Sequence, residues 1–346
     1  MIYYSLKVIE IKAETDDTVT VVFKQPGLKK IKYTAGQYLT LLFRINGRRY
    51  IRPYSFSSAP GVDPNLEITV KRVQGGVVSN HIIDKLNVDD TVEVMEPLGD
   101  FVLKETDLDK RETHLVLWGA GSGITPLMSL AKYALHNALV SKVTLVYGNR
   151  SHESVIFSDK IKALNISYPN FHVWHFHTKL KIASDNPQLI EGRIDASRVL
   201  SIMKQEGDLT KTVHYICGPV GLKSSVKEGL LKIGIRDNVF AEDFEAVRNP
   251  ADFAGIETKS VFVTADNVKT LVEVVKGKSI LEACLDAQID LSYSCQTGSC
   301  LVCRAKITQG NVKMIGVNII PEGLQGDECL LCSAFPVSDN IEIEVV

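Results

Sequence analysis

The stretch SYSCQTGSCLVC, residues 292–303, sets Cys295, Cys300 and Cys303 in the spacing C-x4-C-x2-C, and a fourth cysteine, Cys332, follows further on. Several sulfurs on one short loop are costly to bury as thiolates unless a cation lies among them. The spacing predicts a metal centre.

Two arrangements compete for it. Cys300 with Cys303 and Cys329 with Cys332 are each C-x-x-C, which suits a structural zinc. The full set Cys295, Cys300, Cys303 and Cys332 suits a plant-type two-iron cluster, with Cys329 left over. Three features favour the second. Zinc would leave Cys295 idle, and Arg304 and Ser333 stand where a tight zinc knuckle wants glycine. ECLLCSAFP (328–336) reads as an extended run, in which residues three apart face opposite ways, so Cys329 and Cys332 should not reach one metal. Gly298, with Ser294, Thr297 and Ser299 around it, lets backbone N–H groups approach the sulfurs.

At 346 residues the chain is too long for one ordinary core, and two or three domains are expected. Its net charge of −2 argues against a nucleic-acid partner. No apolar run reaches the roughly 18 residues of a membrane span, and MIYYSLKVIEIK lacks a signal-peptide core; the expectation is a cytoplasmic protein with no membrane association. An odd total of 7 cysteines, all at or after position 217, speaks against a disulfide framework. Residues 259–346 carry 7 Lys/Arg against 11 Asp/Glu, which is ordinary surface variation or an acidic docking face on the cluster domain.

Upstream, residues 1–105 read as short alternating strands (KVIEIKAET, TVTVVFKQ, QYLTLLFRI, LEITVKRV, DTVEVMEP) parted by Pro26-Gly27, Asn46-Gly47 and Pro60-Gly61, which predicts an antiparallel barrel or sandwich with one helix in VSNHIIDKL. RPYSFSSAP (52–60) joins Arg, Tyr and Ser on a strand, and KRVQGGVVSNHI (71–82) runs through a glycine pair into a helix start. Arginine can grip phosphate and a helix start can hold an anion, although an edge strand and a plain turn would look the same. Residues 106–244 alternate strands and helices, beginning with HLVLWGAGSGITPLMSLAKYALH, and predict a doubly wound parallel sheet with its ligand at the C-terminal edge. Its glycines, Gly119, Gly121 and Gly123, give G-x-G-x-G in place of the dinucleotide G-x-G-x-x-G. Thr125 is positioned to cap the following helix and Pro126 to fill its first turn. Cys217, in CGP at a strand end, is as readily a buried thiol as a site residue. HVWHFH (172–177) lacks the acidic or cysteine company a metal would want and reads as a solvated or packed face. Residues 245–258, with Pro250 and Gly255, read as a linker that lets the cluster domain move, and 259–346 form the last domain.

RPYS, GGVVS, GAGSGITPL, YGNR, CGP and the C-x4-C-x2-C...C set, in this order along the whole chain, resemble the ferredoxin-NADP reductase superfamily fused to a plant-type ferredoxin domain, especially the reductase subunits of multicomponent oxygenases of the phenylacetyl-CoA epoxidase type. The resemblance implies three domains: a flavin-binding barrel, an α/β nucleotide domain, and an α+β cluster domain of β-grasp form. It implies that Arg52 meets a flavin phosphate, Tyr54 lies against the flavin ring and Ser55 hydrogen-bonds near N5. Gly76, Val77, Val78 and Ser79 match the pyrophosphate turn, which favours FAD. Gly121, Ser122, Gly123 and Thr125 match the nicotinamide nucleotide turn, Cys217, Gly218 and Pro219 the segment beside the nicotinamide, and Phe244, more loosely, an aromatic over the flavin. Cys295, Cys300, Cys303 and Cys332 match the cluster ligands. Arg150 and Ser151 could hold a 2'-phosphate, which leans the cofactor to NADPH over NADH; the alternative is a solvated loop charge. The implied activity is electron transfer from NAD(P)H through FAD and the [2Fe-2S] cluster to a protein acceptor, expected to be an oxygenase component of aromatic catabolism. Alternatives are a hybrid-cluster protein or desaturase as acceptor, or a redox sensor without turnover.

Overall fold

The computed structural model describes residues 2–27, 30–105, 108–179, 188–207, 209, 211–317 and 319–345. The expected boundary at 105/106 abuts residues 106–107, which lie outside that set. Two compact units are present, Met1–Phe43 with Pro53–Glu242, and Arg44–Arg52 with Asp243–Val346.

The N-terminal sheet is built from β1 (Tyr3–Thr15), β2 (Thr18–Phe23), β3 (Tyr38–Ile45), β4 (Arg48–Ser55), β5 (Leu66–Lys71) and β6 (Thr91–Met95), with α1 (Val77–Lys85) between the last two. The order β4-β3-β6-β1-β2-β5 leaves β4 and β5 at the edges, and a bridge from Phe56, just past β4, to Ile68 of β5 joins them. The sheet therefore closes on itself, which selects the barrel over the sandwich that the alternating pattern also allowed, around fully buried Leu6, Val21, Phe23, Leu39, Phe56 and Ile68.

Next come β7 (His114–Ala120), α2 (Ile124–His136), β8 (Lys142–Asn149), α3 (Ser158–Ser167), β9 (Phe171–His177), β10 (Leu189–Glu191), α4 (Ala196–Glu206), β11 (Thr212–Cys217), α5 (Val220–Lys232) and β12 (Val239–Glu242). All paired strands run parallel in the order β10-β9-β8-β7-β11-β12. Strand periodicity sends Leu115 and Leu117 to one face, under Leu127 and Met128 of α2, and Val116 and Trp118 to the other, under Val199 of α4 and Val226 of α5. Burial on both faces explains why β7 is apolar after His114. Thr125 does not cap α2: a 3-10 turn over Gly121–Gly123 starts the helix earlier, so Gly123 is the cap residue and the Thr125 hydroxyl donates to the Ser122 carbonyl at 3.0 Å.

The second unit contains β13 (Lys259–Ala265), β14 (Val268–Val274), α6 (Ile280–Asp286), β15 (Arg304–Gln309), β16 (Val312–Met314), β17 (Glu328–Leu330), β18 (Ala334–Pro336) and β19 (Ile341–Val345). Its sheet, β14-β13-β19-β15-β17, is antiparallel apart from the central β13–β19 pair, and α6 packs against it, which is the β-grasp arrangement. Two features differ from the sequence reading. ECLLCSAFP is not one extended run: β17 and β18 are separated by a turn at 331–333, fixed by Leu331 N–H donating to the Cys303 carbonyl (3.0 Å) and Ser333 N–H to Leu330 (2.8 Å). The segment 245–258 is also seated on this unit, because Phe253 and Ile256 bury apolar surface against Phe335 and Ile315.

The nucleotide sheet keeps neutral histidines inside. Trp118 Nε1–H donates to His214 Nδ1 at 3.1 Å, which requires that nitrogen to be unprotonated. Burial first of all pushes His214 down to about 3, and His114 and His175 each to about 4. The unfolded chain, with histidines near their ordinary ~6.5, takes up protons before the folded one. Stability is therefore full above about pH 6.5 and falls as pH drops toward 4. The unfolding free energy from urea titration is expected to decrease between pH 7.5 and 5, by about 1–2 kcal/mol for each such histidine, and to decrease less in His114→Gln; a flat profile would contradict the account.

Candidate functional site

Strand order reverses between β7 and β11, and the turns that leave these strands face each other at the C-terminal edge. Cys217 pairs in register with Gly119. A β-carbon on Gly123 would lie 2.1 Å from the Cys217 carbonyl oxygen and 2.8 Å from Gly218 N, so only glycine permits this approach. Gly121, at φ +54, begins the turn in the left-handed region, with nothing within 4 Å of its missing side chain. The turns Gly121–Thr125 and Cys217–Pro219 thus meet backbone to backbone at this edge, a surface of peptide groups against which a flat ligand can pack.

On the barrel, β4 carries Arg52, Tyr54 and Ser55; Ser55 is buried and the Arg52 guanidinium donates back to the Ile51 carbonyl at 2.8 Å. Past β5, Gly75 takes φ +72 and Gly76 caps α1 with no side chain satisfying the first N–H groups of the helix. Those groups, on Val77, Val78 and Ser79, are free to meet an anion. The Ser79 hydroxyl accepts from Val73 N–H at 3.1 Å, which braces the turn from inside.

Beside an apolar contact in which Ala35, Phe101 and Leu103 enter the core beneath α2, a polar stripe of α2 joins the barrel to the parallel sheet. Thr125, Ser129 and Lys132 stand at i, i+4 and i+7, hence on one face. Ser129 Oγ donates to the Ser58 carbonyl at 2.6 Å, and Lys132 pairs with Asp63 at 2.5 Å. Alongside, Lys160 of α3 pairs with Glu67 (3.2 Å) and Glu14 (3.4 Å). Burial would raise the Glu67 carboxyl, but Lys160, Lys132 and Lys12 together hold it below its ordinary value. Ser58 lies three residues beyond Ser55, and Ser129 one helical turn beyond Thr125, so this contact relates the barrel strand to the Gly121–Thr125 turn.

In the second unit, the loop after Tyr293 bends through left-handed Gln296, Gly298 and Leu301. The cysteine sulfurs associate two by two. The Cys300 thiol beside Cys295 draws the Cys295 thiol down to about 4, and Cys303 beside Cys332 lowers the Cys332 thiol while its own is raised. Thr297 N–H points at Cys295 Sγ (3.4 Å) and Cys295 N–H at Cys300 Sγ (3.5 Å). Two sulfur pairs fit a two-iron cluster, one pair for each iron. Cys329 stands apart, opposite Ala305 in the sheet, its thiol pushed up to about 12 chiefly by burial.

Residues 5–103 match the oxidoreductase FAD-binding domain family, residues 117–228 the oxidoreductase NAD-binding domain family, and residues 263–337 the 2Fe-2S iron-sulfur cluster binding domain family. The chain is 33% identical over 356 residues to the ferredoxin reductase component of 3-ketosteroid-9-alpha-monooxygenase from Rhodococcus rhodochrous, an alignment covering 98% of this chain and 96% of that one. The chain belongs to the ferredoxin-NADP reductase superfamily, with a fused [2Fe-2S] domain. This reductase is also 29% identical over 360 residues to a subunit of 1,2-phenylacetyl-CoA epoxidase from Escherichia coli strain K12 (99% and 97% covered). It shares its fold with phthalate dioxygenase reductase, at a TM-score of 0.68 and 24% identity over 99% and 98% of the two chains. It is thus an NAD(P)H-dependent flavin and iron-sulfur oxidoreductase.

Other residues of the reductase occupy informative places. Arg150 is exposed, its carbonyl accepting from Lys179 N–H at 2.7 Å, and Ser151 joins Ser154 in a capping box, so the loop after β8 is shaped while the guanidinium faces solvent. Phe244 is 45% exposed, two residues past β12. Glu242, which the sequence did not single out, ends β12 in register with Cys217; the signal for it was its position at the end of the last parallel strand. No helix among the described residues is long and apolar enough to cross a membrane.

Gly123→Ala should force the two edge turns apart, at about 1–3 kcal/mol, and slow NAD(P)H-driven flavin bleaching at least tenfold in stopped flow while flavin and cluster absorbance stay unchanged. Cys332→Ser is expected to abolish the cluster's visible absorbance and Cys329→Ser to leave it intact; the reverse pattern would reassign the fourth ligand.

Proposed function

We propose that this reductase delivers electrons from NAD(P)H to the oxygenase component of a multicomponent system that opens aromatic or polycyclic substrates to catabolism. One observation carries the reading: the full-length colinear match of the chain to components of two such systems, with almost nothing left over in either partner of each alignment. Bound flavin takes up the two electrons of a nicotinamide hydride and passes them on singly, which suits a one-electron cluster.

The residues have separate tasks in this scheme. Arg52 and the N–H groups of Val77, Val78 and Ser79 hold the FAD phosphates, Tyr54 covers the ring, and Ser55 donates toward N5. Gly121, Ser122, Gly123 and Thr125 receive the nucleotide, while Cys217, Gly218 and Pro219 form the wall beside the nicotinamide, with Phe244 as the aromatic over the flavin. Ser129 and Lys132, by holding the barrel to α2, would fix the residues for flavin relative to those for the nucleotide, which is where such an enzyme gains most from positioning. Cys295, Cys300, Cys303 and Cys332 ligate the cluster, and the acidic balance of residues 259–346 suits a basic acceptor face. Arg150 grips the 2'-phosphate, making NADPH the preferred donor.

Two assays test this. The loaded reductase should oxidise NADPH with cytochrome c and with a di-iron or Rieske oxygenase component; turnover with the first alone would remove the oxygenase, and none with either would make the chain a sensor. Arg150→Ala should lower kcat/KM for NADPH about 10–100-fold, the worth of a charged hydrogen bond, and spare NADH; an unchanged ratio would take Arg150 out of the site.

A further inference from the structure

Arg248 lies outside residues 263–337, the part that matches the cluster-binding family, in the segment that leads into the second unit. Its guanidinium is nonetheless fastened to the cluster loop. Nη2–H donates to the Cys332 carbonyl at 3.0 Å, Nη1 lies 3.5 Å from Glu282, and Cζ stands 5.3 Å above the Phe335 ring. Nε is buried with no hydrogen-bond partner. Glu282 compensates the charge only in part, because its side chain is about half exposed and the same carboxylate oxygen already accepts from Ser279 N–H and Oγ, each at 2.8 Å. The backbone beside it has been cleared: a β-carbon on Gly316 would meet the Val247 carbonyl at 3.2 Å and Arg248 Cγ at 3.3 Å. Phe253, five residues on, meets Phe335 edge to face at 5.1 Å. A cation is thus held against the backbone of one sulfur ligand by a segment that the cluster domain does not need for its own sheet.

We propose that Arg248 tunes the reduction potential of the cluster. Reduction brings one electron from the flavin and adds one negative charge, with no bond made or broken, and a fixed, poorly hydrated cation nearby favours that state. Because the cation belongs to the connecting segment, the potential is raised only while that segment is seated on Phe335. The seat therefore links the way the cluster domain is tethered to its readiness to accept an electron. Arg248 acts through the field at the cluster and is a tuning residue; the inference rests on Cys332 being a ligand.

Potentiometric titration of the loaded protein, reading the cluster by EPR and the flavin by absorbance in the same sample, tests it. Arg248→Gln should lower the cluster potential enough to shift the flavin-to-cluster electron partition about tenfold, which for one electron is about 59 mV, and leave the flavin potential where it was. Arg248→Lys should retain most of the effect. Glu282→Gln, which keeps a side chain able to cap Ser279, should move the cluster potential upward. An unmoved cluster potential in Arg248→Gln, or equal movement of both centres, would overturn the proposal. Should Arg248→Gln fail to hold a cluster, Glu282→Gln decides alone, and no upward shift there would overturn it. Loss of the ligand assignment would be read separately, as an intact cluster in Cys332→Ser.

Discussion

The carbonyl of Cys217 leaves no space for a side chain on Gly123, and that steric fact governs the C-terminal edge of the reductase's parallel sheet. Two parallel strands end side by side, each must turn away at once, and both turns need backbone where other proteins have side chains. From this follow the 3-10 turn ahead of α2, the displacement of Thr125 into the first helical turn, and the direction in which α2 presents Ser129 and Lys132 to the barrel. A constraint of hard-sphere contact thus fixes a polar stripe several residues away.

The charges around that stripe add to an apolar contact, in which Ala35, Phe101 and Leu103 enter the core beneath α2, to join the barrel to the α/β sheet. Asp63, Glu67 and Glu14 come from the barrel, Lys132 and Lys160 from two helices of the sheet, and each carboxylate meets a lysine. Pairs of this kind, partly shielded from water, contribute less through Coulomb attraction than through the penalty for losing one partner. They resist sliding, because a shift by one residue would leave a shielded charge alone.

Much of this was legible in the chain before folding. The C-x4-C-x2-C loop, the alternation of the barrel strands and the order of the glycine turns are local patterns, and local patterns survive in one dimension. What could not be read depended on distant partners. Asp63 and Lys132 are far apart in sequence, as are Arg248 and Cys332, and nothing in either neighbourhood announces the other. The break in ECLLCSAFP was hidden for the same reason: β-propensity favours a continuous strand through Leu331, and a hydrogen bond to Cys303 ends it. The segment 245–258 has the composition of a tether, yet Phe253 and Ile256 find an apolar seat on Phe335 and Ile315.

The cysteine loop has a consequence for the life of the protein in a cell. Gln296 and Leu301 adopt left-handed backbone that side-chain-bearing residues avoid, at φ +58 and +60, within six residues of each other. Each such residue costs about 1–3 kcal/mol, and without iron nothing but weak thiol contacts holds the loop in this shape. A newly synthesised chain starved of iron would carry this as a weak point, open to proteases and chaperones, whereas the loaded chain would not. Quality control could thus sort reductase molecules by whether they can carry an electron, with no dedicated inspector.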